Sequence, residues 1–226
     1  MQGKHIAITG PTAGIGRSAA LDFAARGASL TLFCRNPDKG AALQRDIVDA
    51  GGERPRLIAM DMARLDSVRS AAQTLLADDR PLDVLLNNAG VVNTQRRLSA
   101  DGYEETLAVN HFAPFLLTGL LLPALRQAPA ARIVNVSSHA HTFVRDMGFE
   151  TFAPWIDERY DEIANPGQRL CAVLCEVDRL RSLDASAMHE LFVSSGGVRR
   201  ANLDHGRDRL QARQRADAQA AVSRYV

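Results

Sequence analysis

A glycine-rich turn near the amino terminus constrains the fold of this chain more than any other feature. The apolar run at residues 5–9 ends at Gly10, and Gly14 and Gly16 follow within one short segment. Apolar residues then recur at every fourth position, which is helical spacing: Ile15, Ala19 and Phe23. A strand, three glycines and a helix in this order are typical of a dinucleotide-binding unit, in which the helix amino terminus faces the pyrophosphate. A tight strand–helix turn without a ligand is the alternative interpretation.

Short apolar runs alternate with amphipathic segments over the amino-terminal two-thirds of the chain. The predicted strands occupy residues 5–9, 29–34, 57–60, 82–86 and 132–136, with a further strand at 191–194. The predicted helices cover residues 15–23, 37–51, 68–75, 102–125 and 168–183, and Pro114 can kink the fourth of these. Apolar strands separated by helices predict a parallel sheet covered on both faces, which is a doubly wound α/β fold of the Rossmann type. No linker or repeat is evident, so residues 1–226 are expected to form a single dinucleotide-binding domain.

The composition excludes several classes of function. A formal net charge of +1 gives no basis for binding nucleic acid. Three cysteines, Cys34, Cys171 and Cys175, indicate a reducing compartment, and their spacing predicts no metal site. The longest apolar stretch, residues 115–122, is too short to span a bilayer, and no signal peptide precedes the first strand. We therefore expect a cytoplasmic protein that acts on a small molecule and has neither nucleic acid nor membrane as a partner.

The residues that follow the second, third and fifth predicted strands indicate which ligand the sheet edge accepts. Arg35 favours NADP(H) over NAD(H), because arginine suits a 2′-phosphate whereas an acidic residue would bind the free 2′-hydroxyl. Asp61 can accept a hydrogen bond from the adenine amino group or, alternatively, cap the following helix. Ser138 places a hydroxyl at the carboxyl end of a central strand, where open α/β sheets bind ligands.

Five motifs occur in one order along the chain. They are Thr9-Gly10-x-x-x-Gly14-x-Gly16, Asp61, Asn87-Asn88-Ala89-Gly90, Asn110 and Ile133-Val134-Asn135-Val136-Ser137-Ser138. Together they resemble the short-chain dehydrogenases/reductases, and the resemblance covers residues 3–141 without a detectable gap. Cys34-Arg35-Asn36, Val109-Asn110-His111-Phe112 and Ser137-Ser138-x-Ala140-His141 resemble more narrowly the retinol-dehydrogenase-like branch of that family.

This resemblance implies a Rossmann fold with the strand order 3-2-1-4-5-6 and a homo-oligomer. It implies that Asn87 supports the central strand beside the cofactor ribose, that Asn110 holds a water in a proton relay, and that Ser138 binds the substrate carbonyl. From the residues alone, Asn110 can instead mark a bend in its helix, and Ser138 can be a strand-end cap. The candidate cofactor contacts are Gly10, Thr12, Gly14, Ile15, Gly16, Arg35, Asn36, Asp61, Met62, Asn88, Ala89 and Gly90.

The chain departs from the family where a tyrosine and a lysine four residues later normally carry out proton transfer. Lysine occurs only at Lys4 and Lys39, so that catalytic lysine has no counterpart. Alignment places Pro166 on the tyrosine and Leu170 on the lysine, or Arg169 on the lysine if one residue is deleted. Tyr160 is the remaining candidate for a catalytic acid alongside Ser138 and Asn110, but the carboxylates that follow it oppose this role.

Residues 142–226 lack the motifs that normally complete the family's substrate pocket, so we interpret this region as diverged or truncated. Three functions remain open on these grounds. The first is an oxidoreductase acting on a carbonyl or alcohol with an atypical proton donor. The second is a non-redox elimination, cyclisation or isomerisation that uses His139, His141 or Asp146. The third is a protein that binds a nucleotide or a partner without catalysis.

Overall fold

A computed structural model gives the structure of the chain and describes residues 1–93, 95–138 and 189–195. These residues contain six strands: β1 His5–Thr9, β2 Ser29–Cys34, β3 Arg56–Ala59, β4 Val84–Asn87, β5 Arg132–Ser138 and β6 His189–Ser195. All pairings are parallel, and the order in the sheet is β3-β2-β1-β4-β5-β6. The predicted doubly wound fold is confirmed, and β6 occupies the position predicted for a sixth strand.

The strands are buried because helices cover both faces of the sheet. The helices are α1 Gly14–Ala25, α2 Pro37–Asp49, α3 Leu65–Leu76, the single turn α4 Glu105–Leu107, and α5 Ala113–Gln127. Side chains alternate along β1, so that Ile6 and Ile8 join a core cluster with Phe23 of α1, whereas Ala7 joins the opposite cluster with Leu117 of α5. Each face therefore has its own apolar core, and the strand ends are left to form the site.

The segment predicted as one long helix from residue 102 to 125 is divided. A π turn at Ala108–Phe112 lies between α4 and α5, and the Ala113 N–H donates to the Ala108 carbonyl five residues earlier. Pro114 lies at the start of α5 and has no N–H to donate to the Asn110 carbonyl, which the regular ladder would require. The interruption therefore lies before Pro114, around Asn110. A bend at Asn110 was the alternative interpretation of that asparagine.

The combined helical stretch Glu105–Gln127 is 23 residues long and contains an 18-residue window with a mean hydropathy of 1.5, and among the described residues it alone is long and apolar enough to cross a membrane. Core helices of soluble proteins meet the same criterion, and here Leu117, Leu121 and Leu125 are fully buried in the protein. Length and composition thus do not assign this helix to a membrane. The predicted helix at 168–183 and the charged tail lie outside the described residues.

A buried polar cluster stabilises the amino-terminal edge of the sheet, opposite the glycine-rich turn. Lys4 Nζ lies 2.7 Å from Asp83 Oδ1, and the His5 N–H donates to Asp83 Oδ2 at 3.0 Å. The His5 ring bonds the Pro81 carbonyl through Nδ1 at 3.0 Å and Thr31 Oγ1 through Nε2 at 2.9 Å. A carbonyl can only accept, so Nδ1 carries the proton and the neutral Nε2 accepts from the Thr31 hydroxyl.

Burial lowers the pKa of His5 and outweighs the Pro81 carbonyl, which favours the protonated ring. Burial of Asp83 tends to raise its pKa, but hydrogen bonds from Lys4 and from the His5 N–H outweigh this, and the pKa lies below its usual range. Both shifts mean that the unfolded chain binds protons more readily than the folded chain. Stability therefore falls as the pH falls, first through His5 and at more acidic pH through Asp83.

We predict that the free energy of unfolding declines below about pH 6.5, the ordinary pKa of histidine, with a slope of at most about 1.4 kcal/mol per pH unit from this one ring. His5→Gln retains a hydrogen-bonding side chain without the titrating ring, so its decline between about pH 7 and pH 5 should be shallower. Urea denaturation of both proteins across this range measures the two slopes. Equal slopes would show that His5 is not the group responsible.

Candidate functional site

The glycine-rich turn connects β1 to α1 at the carboxyl edge of the sheet, and its shape depends on close backbone contacts. Gly10 has φ +63°, and a Cβ there would lie 2.8 Å from Ala89 Cα. A Cβ on Gly16 would overlap the Asn88 side-chain amide and the Gly10 carbonyl. Two of the three predicted glycines are therefore required by the protein's own packing, because the loop after β4 leaves no room for a side chain.

Thr9 and Asn88 join the glycine-rich turn to the end of β4. Thr9 Oγ1 accepts from the backbone N–H groups of Asn88 and Ala89, each at 3.0 Å. The Asn88 side-chain amide donates to the Thr9 and Gly10 carbonyls, also at 3.0 Å. The sequence predicted Asn88 as a cofactor contact and assigned no role of its own to Thr9. The feature that could have indicated a role was the presence of a threonine between an apolar strand and Gly10. Thr9 is fully buried.

Gly14 differs from the other two glycines because, among the described residues, no atom beyond its chain neighbours and the backbone of its own helix lies within 4 Å of the position that its Cβ would take. Its φ of +53° is in the left-handed region, so the turn still favours glycine. Thr12 and Ile15 flank this position and are partly buried, and Ile15 packs against the α1 side of the core. The open space at Gly14 is suitable for a ligand that approaches the backbone closely.

The amino terminus of α1 carries no side-chain cap, and its first turn contains no acidic residue. The other described helices that begin afresh from a loop each receive an acceptor. The Asn36 amide accepts from Lys39 N–H in α2, Asp101 from Leu65 N–H in α3, and Glu104 from Leu107 N–H in α4. The N–H groups and partial positive charge of α1 therefore have no side-chain acceptor at its N-cap, which favours an anion there.

Arg35 lies just after β2 at the same edge and is exposed. Asn36, also predicted to contact the cofactor, uses its side-chain oxygen to cap α2 at 3.0 Å from the Lys39 nitrogen. This capping role is structural, although it does not exclude a second contact. Lys39, in the first turn of α2, is exposed and adds a second cation that sequence reasoning did not consider.

Asp61 and Met62 follow β3. Asp61 does not cap α3, because the N-cap position is Arg64; instead Asp61 Oδ1 accepts from the Ala63 N–H at 3.0 Å and stabilises a local turn. The side chain of Met62 is buried in the core cluster beside α3, so only its backbone can face a ligand. Asp61 itself is partly exposed, so its carboxylate is accessible from solvent.

Asn110 anchors the loop after β4 to the π turn. Its Oδ1 accepts from the Val91 N–H and its Nδ2 donates to the Val91 carbonyl, both at 2.8 Å. Gly90 is exposed, and a Cβ there would lie 3.5 Å from Asn110 Oδ1. The side chain thus has a structural role that the sequence did not reveal, and a water-binding role would fall to the backbone of this residue.

Beneath this loop, Asn87 connects β4, β5 and α5. Its Nδ2 donates to Asn135 Oδ1 at 2.8 Å and to Thr118 Oγ1 at 3.1 Å. Asn87 pairs with Asn135 in the sheet, so β5 extends three residues further and ends at Ser138 on the carboxyl edge. The backbone therefore places Ser138 at the edge that carries the glycine-rich turn. Tyr160 and the alternative acid–base residues His139, His141 and Asp146 lie outside the described residues.

We predict that alanine affects stability very differently at Gly16 and at Gly14. Gly16→Ala should lower the free energy of unfolding by about 2–4 kcal/mol, because overpacking adds to strained Asn88 hydrogen bonds. Gly14→Ala meets no protein atom, so the left-handed φ should cost about 1 kcal/mol. Urea denaturation at neutral pH compares the two variants. Alanine is otherwise favoured in a helix, so equal or smaller destabilisation by Gly16→Ala would contradict the described contact.

Comparison with known proteins agrees with this architecture. The short chain dehydrogenase family model matches residues 4–149. Human retinol dehydrogenase 11 is 41% identical over 142 residues, which cover 62% of this chain and 45% of that protein. Bovine dehydrogenase/reductase SDR family member 13 is 39% identical over 142 residues, covering 62% of this chain and 37% of that protein. The chain thus spans less than half the length of these curated relatives.

Among solved structures, a metagenomic short-chain oxidoreductase in complex with NADP superposes with a TM-score of 0.68 at 26% identity. The superposition covers 96% of this chain and 91% of that chain. The family match extends from β1 past the end of β5 and includes every described residue of the glycine-rich turn and the Asn87–Gly90 loop. The chain therefore belongs to the short-chain dehydrogenase family.

Proposed function

We propose that this protein binds NADP(H) in preference to NAD(H) at the carboxyl edge of its sheet, and acts as a slow oxidoreductase on a small carbonyl or alcohol. The observation that carries the proposal is the amino terminus of α1. This helix has neither a side-chain cap nor an acidic residue in its first turn, and it begins at a glycine with open space beside it. A dinucleotide pyrophosphate fits such a helix end, because it offers N–H groups and partial positive charge.

The cofactor preference is supported by charge at the adenosine end. Arg35 and Lys39 are exposed around the start of α2 together with one carboxylate, Asp38, and no acidic side chain occupies the position directly after β2. A 2′-phosphate adds negative charge that these cations would neutralise, whereas a free 2′-hydroxyl is usually bound by a carboxylate. The solved relative that holds NADP supports the same assignment.

The proposed reaction uses groups that lie at the carboxyl ends of β4 and β5. NADP(H), when bound, supplies or accepts the hydride. Ser138 would hold the substrate carbonyl, since β5 ends at this residue beside β4. The π turn positions the backbone of Asn110 at the same edge, where Asn110 would hold a water of the proton relay.

This proposed site lacks the lysine that normally assists the proton donor. Lys4 and Lys39 are the only lysines, and Lys4 is bonded to Asp83 at the opposite edge of the sheet. A phenol next to a lysine would normally deliver the proton, and general acid–base groups contribute about 10²–10⁴-fold to a rate. Reduction should therefore be slow. The same observation favours a second function, binding of NADP(H) without turnover.

We predict that Arg35→Asp weakens NADPH binding by about 1–3 kcal/mol, the scale of a hydrogen bond between charged groups. NADH binding should change little, because it lacks the 2′-phosphate. Isothermal titration with both cofactors measures the difference. Arg45→Asp is the matched control, since Arg45 is an exposed arginine further along α2. Equal affinity of the unsubstituted protein for NADPH and NADH would contradict the proposed preference.

The same titration tests the glycine-rich turn through Gly14→Val. A branched side chain at this position enters the open space beside the turn, so cofactor binding should be lost while circular dichroism reports a folded chain. NADPH binding by folded Gly14→Val would place the cofactor elsewhere.

We further predict that NADPH-dependent carbonyl reduction remains below the usual enzymatic range of about 1–10³ per second. The assay follows NADPH oxidation with a panel of aldehydes and ketones that includes retinal, the aldehyde of the alcohol named in the relatives. Any slow turnover should fall in Ser138→Ala, which removes the hydroxyl at the end of β5. Rapid turnover that is lost in Tyr160→Phe would instead establish Tyr160 as the catalytic acid. Substrate conversion without NADPH oxidation would favour a non-redox reaction.

A further inference from the structure

Residues 97–104, called here the docking loop, form a compact turn between the loop after β4 and α4. The Ser99 N–H donates to the Tyr103 carbonyl at 2.7 Å, and Ser99 Oγ accepts from the N–H groups of Asp101 and Tyr103 at 3.3 and 3.2 Å. The Glu105 N–H donates to the Arg97 carbonyl at 2.9 Å. Ser99 is buried and Gly102 has φ +80°. The docking loop therefore has a defined conformation of its own.

The docking loop contacts the beginning of α3, which is remote in sequence. Asp101 Oδ2 accepts from the Leu65 N–H at 2.9 Å, and the Ala100 N–H donates to the Ala63 carbonyl at 3.1 Å. Arg64, the N-cap residue of α3, makes no side-chain capping bond. Asp101 thus supplies from another segment the acceptor that a capping residue normally provides locally.

The same short segment shapes the proposed adenine end of the cofactor site. The Ala63 N–H bonds Asp61 Oδ1, while the Ala63 carbonyl bonds the docking loop. The Asp61 N–H in turn donates to Ser67 Oγ at 3.0 Å. Ala63 is therefore held on one side by Asp61 and on the other by Ala100, which links the docking loop to the turn that carries the Asp61 carboxylate.

On these contacts we propose that Asp101 is a positioning residue for the adenosine half of NADP(H), an inference that rests on the function proposed above. In this role Asp101 itself does not contact the cofactor. Its carboxylate holds the docking loop against α3 and so keeps Asp61 and the backbone of Met62 in the arrangement that receives adenine. When the loop is displaced, the binding-competent fraction falls and the apparent dissociation constant rises by the inverse of that fraction.

The solvent exposure of Asp101 limits how much its substitution can change the docking equilibrium. Asp101 is exposed, so its attraction to the helix end is screened and corresponds to about a two- to fivefold change in the docking equilibrium. Asp101→Asn should therefore weaken binding of NADPH and of adenosine 2′,5′-bisphosphate by one shared factor of at most about five, because the binding-competent fraction cannot fall by more than the docking equilibrium changes. A shared factor is expected because the adenosine half is common to both probes.

The experiment combines titration of both probes with hydrogen–deuterium exchange of the ligand-free protein. Asp66→Asn is the matched control: Asp66 lies in the first turn of α3 and is exposed, but it contacts Arg64 and the Ser67 N–H rather than the docking loop. In the expected result, only Asp101→Asn weakens both probes, and only this variant increases exchange at the Leu65 and Ala100 amides. Thermal denaturation establishes that both variants are folded at the temperature of the titration.

Two results would overturn the inference. Equal weakening by Asp101→Asn and Asp66→Asn would assign the effect to general charge at the helix end. Faster exchange at Leu65 and Ala100 with unchanged affinity would show that docking does not govern the adenosine site. Failure of the proposed function is distinguishable from both, because the unsubstituted protein would then bind neither probe, while the exchange comparison would still report whether Asp101 holds the loop.

Discussion

The contact between Gly16 and the Asn88 side chain is the constraint on which the rest of the site depends. This contact brings the first turn of α1 against the loop after β4, where any side chain on Gly16 would overlap the amide. Asn88 also binds the Thr9 and Gly10 carbonyls, and Thr9 binds the backbone of Asn88 and Ala89. The turn is thereby shaped by the protein alone, so a ligand would bind a preformed surface and spend little free energy on ordering it.

The distribution of acceptors among the helix ends directs an anion to one place. Side chains accept hydrogen bonds from the amino-terminal N–H groups of α2, α3 and α4, so each of these helix ends already has an acceptor from the protein. The start of α1 has no such partner from its N-cap or first turn. Arg35 and Lys39 lie around the start of α2, so a doubly charged pyrophosphate and a further phosphate can be bound by different elements at one edge.

The fold was predictable because the hydrophobic patterns of the first five strands agree with a single sheet topology. Alternating apolar runs predicted β1 and β2 with their observed bounds, while the third and fourth strands were displaced by one or two residues at their ends. The roles of Asn36, Asp61 and Asn110 could not be derived, because their partners depend on tertiary contacts or on local turn geometry. The Asn110–Val91 pair, for example, joins residues 19 positions apart. The interrupted helix was expected as a kink at Pro114 or, in the alternative interpretation, as a bend at Asn110, since periodicity does not distinguish a π turn from a bend.

The location of His5 has a consequence for how mild acid would affect ligand binding. The ring lies at the amino-terminal edge of β1, and the candidate site lies at the other end of the same strand. Protonation of His5 therefore acts on the equilibrium between folded and unfolded chains and leaves the charges of the site in folded molecules unaltered. In a titration at lower pH, this mechanism would raise the apparent dissociation constant by the inverse of the folded fraction, while each folded molecule kept its intrinsic affinity and the stoichiometry stayed unchanged.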